Sequence, residues 1–187
     1  MGIVLETERL ILRPWAPDDF EDFASMSADP EVMRYLAIDG KPLSRFAAWQ
    51  SFTSQVGHWA LRGFGMFVVV ERSSGKFVGR VGPWQPEGWP DFEIGWTIRS
   101  EFWGKGYATE AATRCVAYAF TELHRPHLIS LILPDNLRSI RVAERLGERL
   151  ENNAVTLPHL PSEKTVLQYG LFREDWSQRG AKTEDAT

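Results

Sequence analysis

Residues 104–109, Gly-Lys-Gly-Tyr-Ala-Thr, join a strand-like pattern to a helical one in the stretch FWGKGYATEAATRCVAYAF, residues 102–120. A helix start leaves its first backbone N–H groups unpaired and pointing outward. The dipole there favours negative charge. Gly104 and Gly106 let the backbone approach a phosphate with no Cβ in between, and small Ala108 preserves that access. Lys105 adds a point charge. The residues from Gly104 through Lys105, Gly106, Tyr107 and Ala108 to Thr109 therefore read as an anion cradle. The competing reading is a glycine turn that only joins strand to helix. Two familiar nucleotide motifs do not match. A Walker A loop needs Ser or Thr after the lysine, where Gly106 stands, and a dinucleotide fingerprint needs glycine where Thr109 stands.

Other chemistry has weaker local signals. His58, His124, His127 and His159 lack metal-ligand spacing, so they read as structural or surface residues and no metal site is expected. No Gly-x-Ser-x-Gly signal points to a serine nucleophile. The one cysteine, Cys115, lies inside the apolar pattern of the helix after the cradle and reads as a buried thiol. A single cysteine forms no intrachain disulfide and fits a reducing, cytoplasmic setting. The net charge of −4 gives no general pull toward nucleic acid or an anionic membrane. The start MGIVLETERL lacks the basic, apolar build of a signal peptide, and no apolar run approaches membrane-spanning length.

The cradle needs elements to hold it. RLILRPW (9–15) reads as a strand ended by Pro14. One or two short helices follow, with Asp18 as a plausible cap and Pro30 as a restart. A longer helix spans 44–62, capped by Ser44, with Phe46, Trp49, Phe52, Val56 and Trp59 at helical spacing. A hairpin covers 65–84, turning around Ser73–Lys76, and 91–99 is another strand. The helix after the cradle runs to about Leu123. HLISLIL (127–133) is a strand whose continuous apolar run suggests burial on both faces. DNLRSIRVAERLG is a short helix stopped by Gly147. ERLENN and KTVLQYGLF read as the last strands. This order predicts one domain over 1–176, with 177–187 as a polar, flexible tail. The fold class is α/β (α+β), a mixed, mostly antiparallel twisted sheet of about seven strands with about four helices on its faces.

WGKGYA (103–108) resembles motif A of the GCN5-related N-acetyltransferases, the GNAT superfamily, whose pattern is Gln/Arg-x-x-Gly-x-Gly/Ala. Gly106 and Ala108 match its last two positions, and Trp103 replaces the usual Gln or Arg. PDNLRSIRVAERLGERLE resembles motif B of the RimJ/RimL-type branch, with Asn136, Ser139, Leu146 and Gly147 at the matching places. FEIGWTIRSEFWGKGYATEA, the opening ETERLILRPW and the closing LQYGLFREDW are also similar to that branch. The likeness covers nearly the whole chain up to Trp176.

The resemblance implies a cytoplasmic acetyl-CoA-dependent N-acetyltransferase with a GNAT fold. Acetyl-CoA would be held without a metal. Its pyrophosphate would lie on residues 104–109, and its pantetheine arm in a splay between two central parallel strands, 92–98 and 127–133. Backbone near Thr97, Ile98 and Arg99 would pair with that arm, and Asn136 would hydrogen-bond it. Many family members carry a tyrosine acid four residues before the motif B glycine, and Ala143 excludes that here. The RimJ/RimL-type branch places a serine acid at the Asn-x-x-Ser position, so the resemblance implies Ser139 as the acid, or else a surface or capping serine. Glu93 is the implied base, or else an anchor or a contact for the amine. Trp84, Trp89, Phe92 and Trp96 would wall the acceptor cleft, where aromatic faces suit an apolar group or a cationic amine; some of them are core in any case. Strand alternation sets Phe92, Ile94 and Trp96 on one face, with Glu93 and Gly95 on the other. The partner is an amine, a protein N-terminus or a small molecule, with no nucleic acid or membrane, and the protein is a monomer or homodimer. A non-catalytic acyl-CoA-binding module is the alternative, because Trp103 and Ala143 both depart from the broad family pattern. A cradle for another phosphate ligand, such as a nucleotide, is the third reading.

Overall fold

The computed structural model describes residues 2–36, 39–158, 160–161 and 164–184. His159 lies outside them. The described residues hold strands β1 (Leu5–Glu6), β2 (Leu10–Arg13), β3 (Phe67–Glu71), β4 (Phe77–Trp84), β5 (Glu93–Ile98), β6 (His127–Ile132), β7 (Arg149–Val155) and β8 (Val166–Phe172). The helices are α1 (Phe20–Ser27), α2 (Pro30–Met33), α3 (Arg45–Arg62), α4 (Tyr107–Thr121), α5 (Leu137–Leu146) and α6 (Arg173–Glu184). One sheet runs β1-β2-β3-β4-β5-β6-β8-β7. Every pairing is antiparallel except β5 with β6.

The expected mixed sheet is present, with one strand and two helices more than the sequence suggested. β1 is only two residues long, too short to show a period, and is held by Leu5 opposite Leu12. Residues 173–184, read from sequence as polar and without an element, form α6. That helix shows no apolar stripe, but its Trp176 ring lies 5.3 Å from the Phe120 ring. Pro30 starts α2 as expected, with Asp29 accepting from Glu31 N at 2.9 Å. The cap expected of Asp18 falls to its neighbour. Buried Asp19 accepts from Ala16 N at 2.7 Å and pairs with Arg13 at 2.6 Å.

Small side chains let α4 settle on one face of the sheet: Ala111, Ala112, Cys115 and Ala119 have no exposed surface. Cys115 is the buried thiol the sequence implied, and burial pushes its pKa up. α1 and α3 cover the opposite face. The inward line of α3 differs from the expected aromatic stripe. Ala48, Phe52, Gln55 and His58 are buried, whereas Phe46, Trp49 and Val56 are exposed. Phe52 is common to both lines, and from it the helix turns two polar side chains, Gln55 and His58, toward the sheet. His58 is satisfied there, with Nδ1 2.8 Å from the Phe64 carbonyl and Nε2 accepting from Gln85 N at 3.2 Å.

β5 and β6 are paired at one position, Glu93 opposite Ile129, where Ile129 N donates to Phe92 O at 2.9 Å. Ser130 Oγ lies 2.9 Å from the Ile94 carbonyl, one residue further along. Past that point no ladder pairing joins the two strands, and the backbone groups of the later β5 residues face a gap.

Candidate active site

The segment before α4 forms a cradle of unpaired donors. Gly104 and Gly106 have φ of 79° and 80°, left-handed values that L side chains rarely adopt. A Cβ at Gly104 would meet no atom within 4 Å, so the glycine serves conformation there, not space. Gly106 is the N-cap of α4, and the backbone N–H groups of Tyr107, Ala108 and Thr109 have no intrahelical acceptor. Thr109 Oγ1 is buried and lacks a partner among the described residues. A cleft of about 620 Å³ opens on this point, lined by Gly104, Gly106, Ala108, Thr109 and the strand residues Thr97 and Ile98. These orphaned donors fit an anionic phosphate group. Residues remote in sequence brace the loop. Arg9 Nη1 donates to the Lys105 carbonyl at 3.0 Å, and its Nε donates to Glu110 at 2.6 Å. Tyr107 Oη donates to Glu71 at 2.6 Å.

A second cleft, of about 540 Å³, lies against the other side of the splay and shares Trp96, Thr97, Asn136 and Ser139 with the first. Glu93 sits at the vertex of the splay and is 9% exposed. Trp89 Nε1 donates to its Oε2 at 2.7 Å. Burial pushes the Glu93 carboxyl up to about 7, against the lowering effects of the Trp89 bond, a bond from the Leu131 backbone and the charge of Arg80. A carboxyl poised there exchanges protons readily near neutral pH. Opposite it, Ser139 stands in the first turn of α5. Its backbone N–H donates to the Asn136 cap at 3.2 Å, and its hydroxyl accepts from Trp96 Nε1 at 3.2 Å. The Ser139 proton is thus free to be given away, and the positive end of α5 favours the charge left behind.

Residues 9–149 match the family described as the acetyltransferase (GNAT) domain. The chain belongs to the GNAT acetyltransferases. It is 31% identical to an Aspergillus fumigatus protein named FsC-acetyl coenzyme A-N(2)-transacetylase, across 92% of this chain and 77% of that one. It also superposes on an acetyltransferase from Agrobacterium tumefaciens with a TM-score of 0.76 and 31% identity, covering 90% and 94% of the two chains. RimL, described as a ribosomal L7/L12 alpha-N-protein acetyltransferase and solved with coenzyme A, shares the fold at a TM-score of 0.76. The RimL match covers 92% of this chain and 99% of that one at 14% identity.

Within this GNAT domain most of the expected site residues come together. Trp84, Trp89, Trp96, Glu93, Asn136 and Ser139 line the second cleft. Phe92 does not. It is 2% exposed and packs on Phe64 at 5.0 Å, because alternation along the chain turns it away from its neighbour Glu93. The Lys105 side chain also leaves the cradle: its Nζ lies 3.9 Å from Glu71 and 4.8 Å from the Phe102 ring centre. Arg99 is outside both clefts, paired with Asp22 at 3.0 Å, and its backbone N–H is used by the Val78 carbonyl at 2.9 Å. Among the described residues no group of three His, Cys, Asp or Glu is placed to hold a metal, and no helix is long and apolar enough to cross a membrane.

Four side chains here had no signal in the sequence reading. Arg80 and Gln55 line the second cleft. Glu148, 3% exposed, has its Oε1 3.0 Å from Ser130 Oγ, and burial with the nearby charge of Glu93 drives its pKa up to about 8. Ser130 Oγ can donate to Glu148 Oε1 or to the Ile94 carbonyl, and its bond to the carboxyl works against the upward push of burial. Arg138 lies over the Trp103 ring at 4.4 Å, on the edge of the cradle cleft.

Proposed function

We propose that the protein is an acetyl-CoA-dependent N-acetyltransferase that acts on a primary amine. The observation that carries this reading is the meeting of two clefts at the β5–β6 splay. A phosphate-binding cradle opens on one side, and a buried carboxyl near neutral pKa faces the other.

The fit to CoA rests on orphaned donors. The N–H groups of residues 107–109 and Thr109 Oγ1 would take the pyrophosphate. Backbone of Trp96 and the N–H of Ile98, on the edge of β5 left unpaired by β6, would take the pantetheine arm as an added strand. The Asn136 carbonyl oxygen is occupied by the α5 cap, which leaves its amide N–H groups for the ligand. Arg138, stacked on Trp103, brings a cation near the place where the motif's own Gln or Arg is missing. Bound acetyl-CoA supplies an acetyl thioester, whose C–S bond breaks as the N–C bond to the amine forms.

The chain's own residues handle the protons. Glu93 accepts one from the amine nitrogen, directly or through one water. Ser139 Oγ gives one to the departing sulfur. Trp84 and Trp89 wall the path of the acceptor and keep bulk water from the carboxylate.

The acceptor is a protein N-terminus or a small amine. The two named relatives differ on this point, one acting on a ribosomal protein and one on FsC. The likeness to RimL supports the N-terminal class through shape, while the net charge of −4 gives no pull toward an RNA-rich particle. Thiol release from acetyl-CoA, followed across N-terminal peptides, amino acids and simple amines, tests the reading. Turnover above hydrolysis is expected for at least one class. Tight CoA binding in calorimetry with no amine-dependent turnover would reduce the protein to an acyl-CoA-binding module, and tighter binding of ATP than of CoA would reject both.

A further inference from the structure

Arg80 enters the second cleft from β4, on the same face as Glu93. In the ladder Arg80 is opposite Thr97, and Trp84, four residues on, is opposite Glu93. Between these two pairs Gly82 faces Gly95, so no side chain of β4 or β5 fills the space that separates them. Met66 Cε reaches over Gly95 and forms the floor. Four residues of strand span about 13 Å, and an extended arginine covers roughly half of that.

Arg80 feels the charge of Glu93 across the cleft but makes no close ion pair with it. Its Nε is buried and has no hydrogen-bond partner among the described residues, and no carboxylate of those residues lies within ion-pair distance of it. Its guanidinium carbon lies 5.8 Å from the centre of the Phe23 ring. Burial lowers its pKa to about 10, which leaves it charged at neutral pH. Beside it in the same cleft, Gln55 is 3% exposed and its Oε1 also lacks a partner. The other carboxylate of the cleft lining, Glu87, is turned to solvent and pairs with Arg62 at 3.2 Å. A guanidinium N–H buried without a partner is costly, and so is a buried amide oxygen without a donor.

We propose that Arg80 and Gln55 form an anion subsite in the acceptor cleft that selects an amine also bearing a carboxylate, an amino-acid-type acceptor. The proposal rests on the transferase reading and narrows its substrate class. The planar fork of the guanidinium matches a carboxylate through two parallel bonds, and Gln55, in the same cleft, would have to turn its amide N–H groups toward the acid to add a third. The amine then lies toward Glu93 and the acid toward Arg80, with the carbon chain between them over Met66.

The test uses the full chain. Turnover with acetyl-CoA is compared across matched pairs, each an amino acid or dipeptide and its carboxamide. Calorimetry measures the same pairs binding to protein loaded with CoA. Acids should be favoured over carboxamides by about tenfold or more in KM. Arg80→Gln should remove that preference, Arg80→Lys should keep part of it, and Gln55→Leu should weaken it. An unchanged CoA affinity in each variant reports an intact fold. Equal use of acids and carboxamides by the parent protein, or an undiminished preference in Arg80→Gln, overturns the subsite and leaves the transferase reading standing. Absence of thiol release with every amine overturns the transferase reading instead. Calorimetry then decides the subsite, and acids that bind no tighter than carboxamides overturn it as well.

Discussion

The cradle cleft and the acceptor cleft meet at Trp96, Thr97, Asn136 and Ser139, yet they are built from different materials. The cradle is backbone: two left-handed glycines and the free N–H groups of a helix start. It needs no buried charge, and its lysine points elsewhere. The acceptor cleft is side chain: Glu93, Arg80, Gln55 and the nearby Glu148, each buried in whole or part and two of them carboxyls near neutral pKa. One site holds charge with fixed dipoles, at little cost in the empty protein. The other stores desolvated ionisable groups, and that cost is where its reactivity comes from.

The largest expected effect breaks the reactive side of this contrast. Glu93→Gln keeps the volume and the Trp89 contact but cannot take a proton. It should lower kcat/KM by about 10²- to 10⁴-fold. In the parent enzyme kcat/KM should rise with pH through about 7, where Glu93 loses its proton. The variant should lack that limb. A pH–rate profile for both proteins measures it, and a limb that persists in the variant would remove Glu93 as the base.

The second prediction concerns stability. Burial raises the folded-state pKa of Glu93 to about 7 and of Glu148 to about 8, from an ordinary 4.5. The folded chain therefore binds protons more tightly than the unfolded one. Their contribution to stability is greatest below pH 4.5 and is lost as pH rises to about 8. Glu148→Gln stays neutral and retains a partner for Ser130. It should stabilise the protein at pH 9 by several kcal/mol, about 5 for a rise from 4.5 to about 8 at 1.4 per pH unit. It should leave only the part of the pH slope that belongs to Glu93. Thermal unfolding from pH 5 to 9 measures both effects.

The contrast also explains what could be read from the sequence. The cradle was legible because glycine spacing reports backbone conformation, and that is local. Asn136 and Ser139 were legible for the same reason, as a cap and the first turn of one helix. Phe92 was misplaced because adjacent residues on a strand face opposite ways, and only one of Phe92 and Glu93 could face the cleft. Arg80, Gln55 and Glu148 come from β4, α3 and the turn after α5, and nothing local says that they converge on Glu93. The α3 stripe misled for a related reason. Its large aromatics suggested a core face, but the buried line includes Gln55 and His58, and His58 is held there by the Phe64 carbonyl and Gln85 N–H.

If the cradle is backbone, its glycine should matter more than its lysine. Gly106→Val forces a β-branched residue to a φ of 80°, a strain of about 1–3 kcal/mol. It should weaken CoA binding by about tenfold as the loop relaxes out of shape. Lys105→Ala should change CoA affinity by less than about threefold, as expected for a half-exposed lysine engaged outside the cleft. Calorimetry with CoA on both variants measures the difference, and the reverse order would make the cradle a side-chain site.

Arg138 is the point at which the two modes of construction mix, and its effect should be the smallest. It is exposed, on α5, and belongs to the cradle cleft only because its guanidinium lies 4.4 Å over Trp103. Trp103 is itself anchored, donating to the Ile98 carbonyl at 2.8 Å. The indole thus acts as a shelf that holds a cation near a loop whose own motif side chain is absent. A screened surface charge of this kind gives little, so Arg138→Ala should weaken CoA binding by about three- to tenfold. The loss should shrink as salt is raised, since the contribution is electrostatic and solvent-exposed. Trp103→Gln tests the shelf from the other side. On its own it should lose the stacked cation but restore a hydrogen-bonding side chain to the loop, leaving affinity near the parent value. Combined with Arg138→Ala, it should recover part of what the single arginine variant lost. Additive losses in the double variant would mean that the tryptophan and the arginine contribute separately and that the indole is no shelf for the cation.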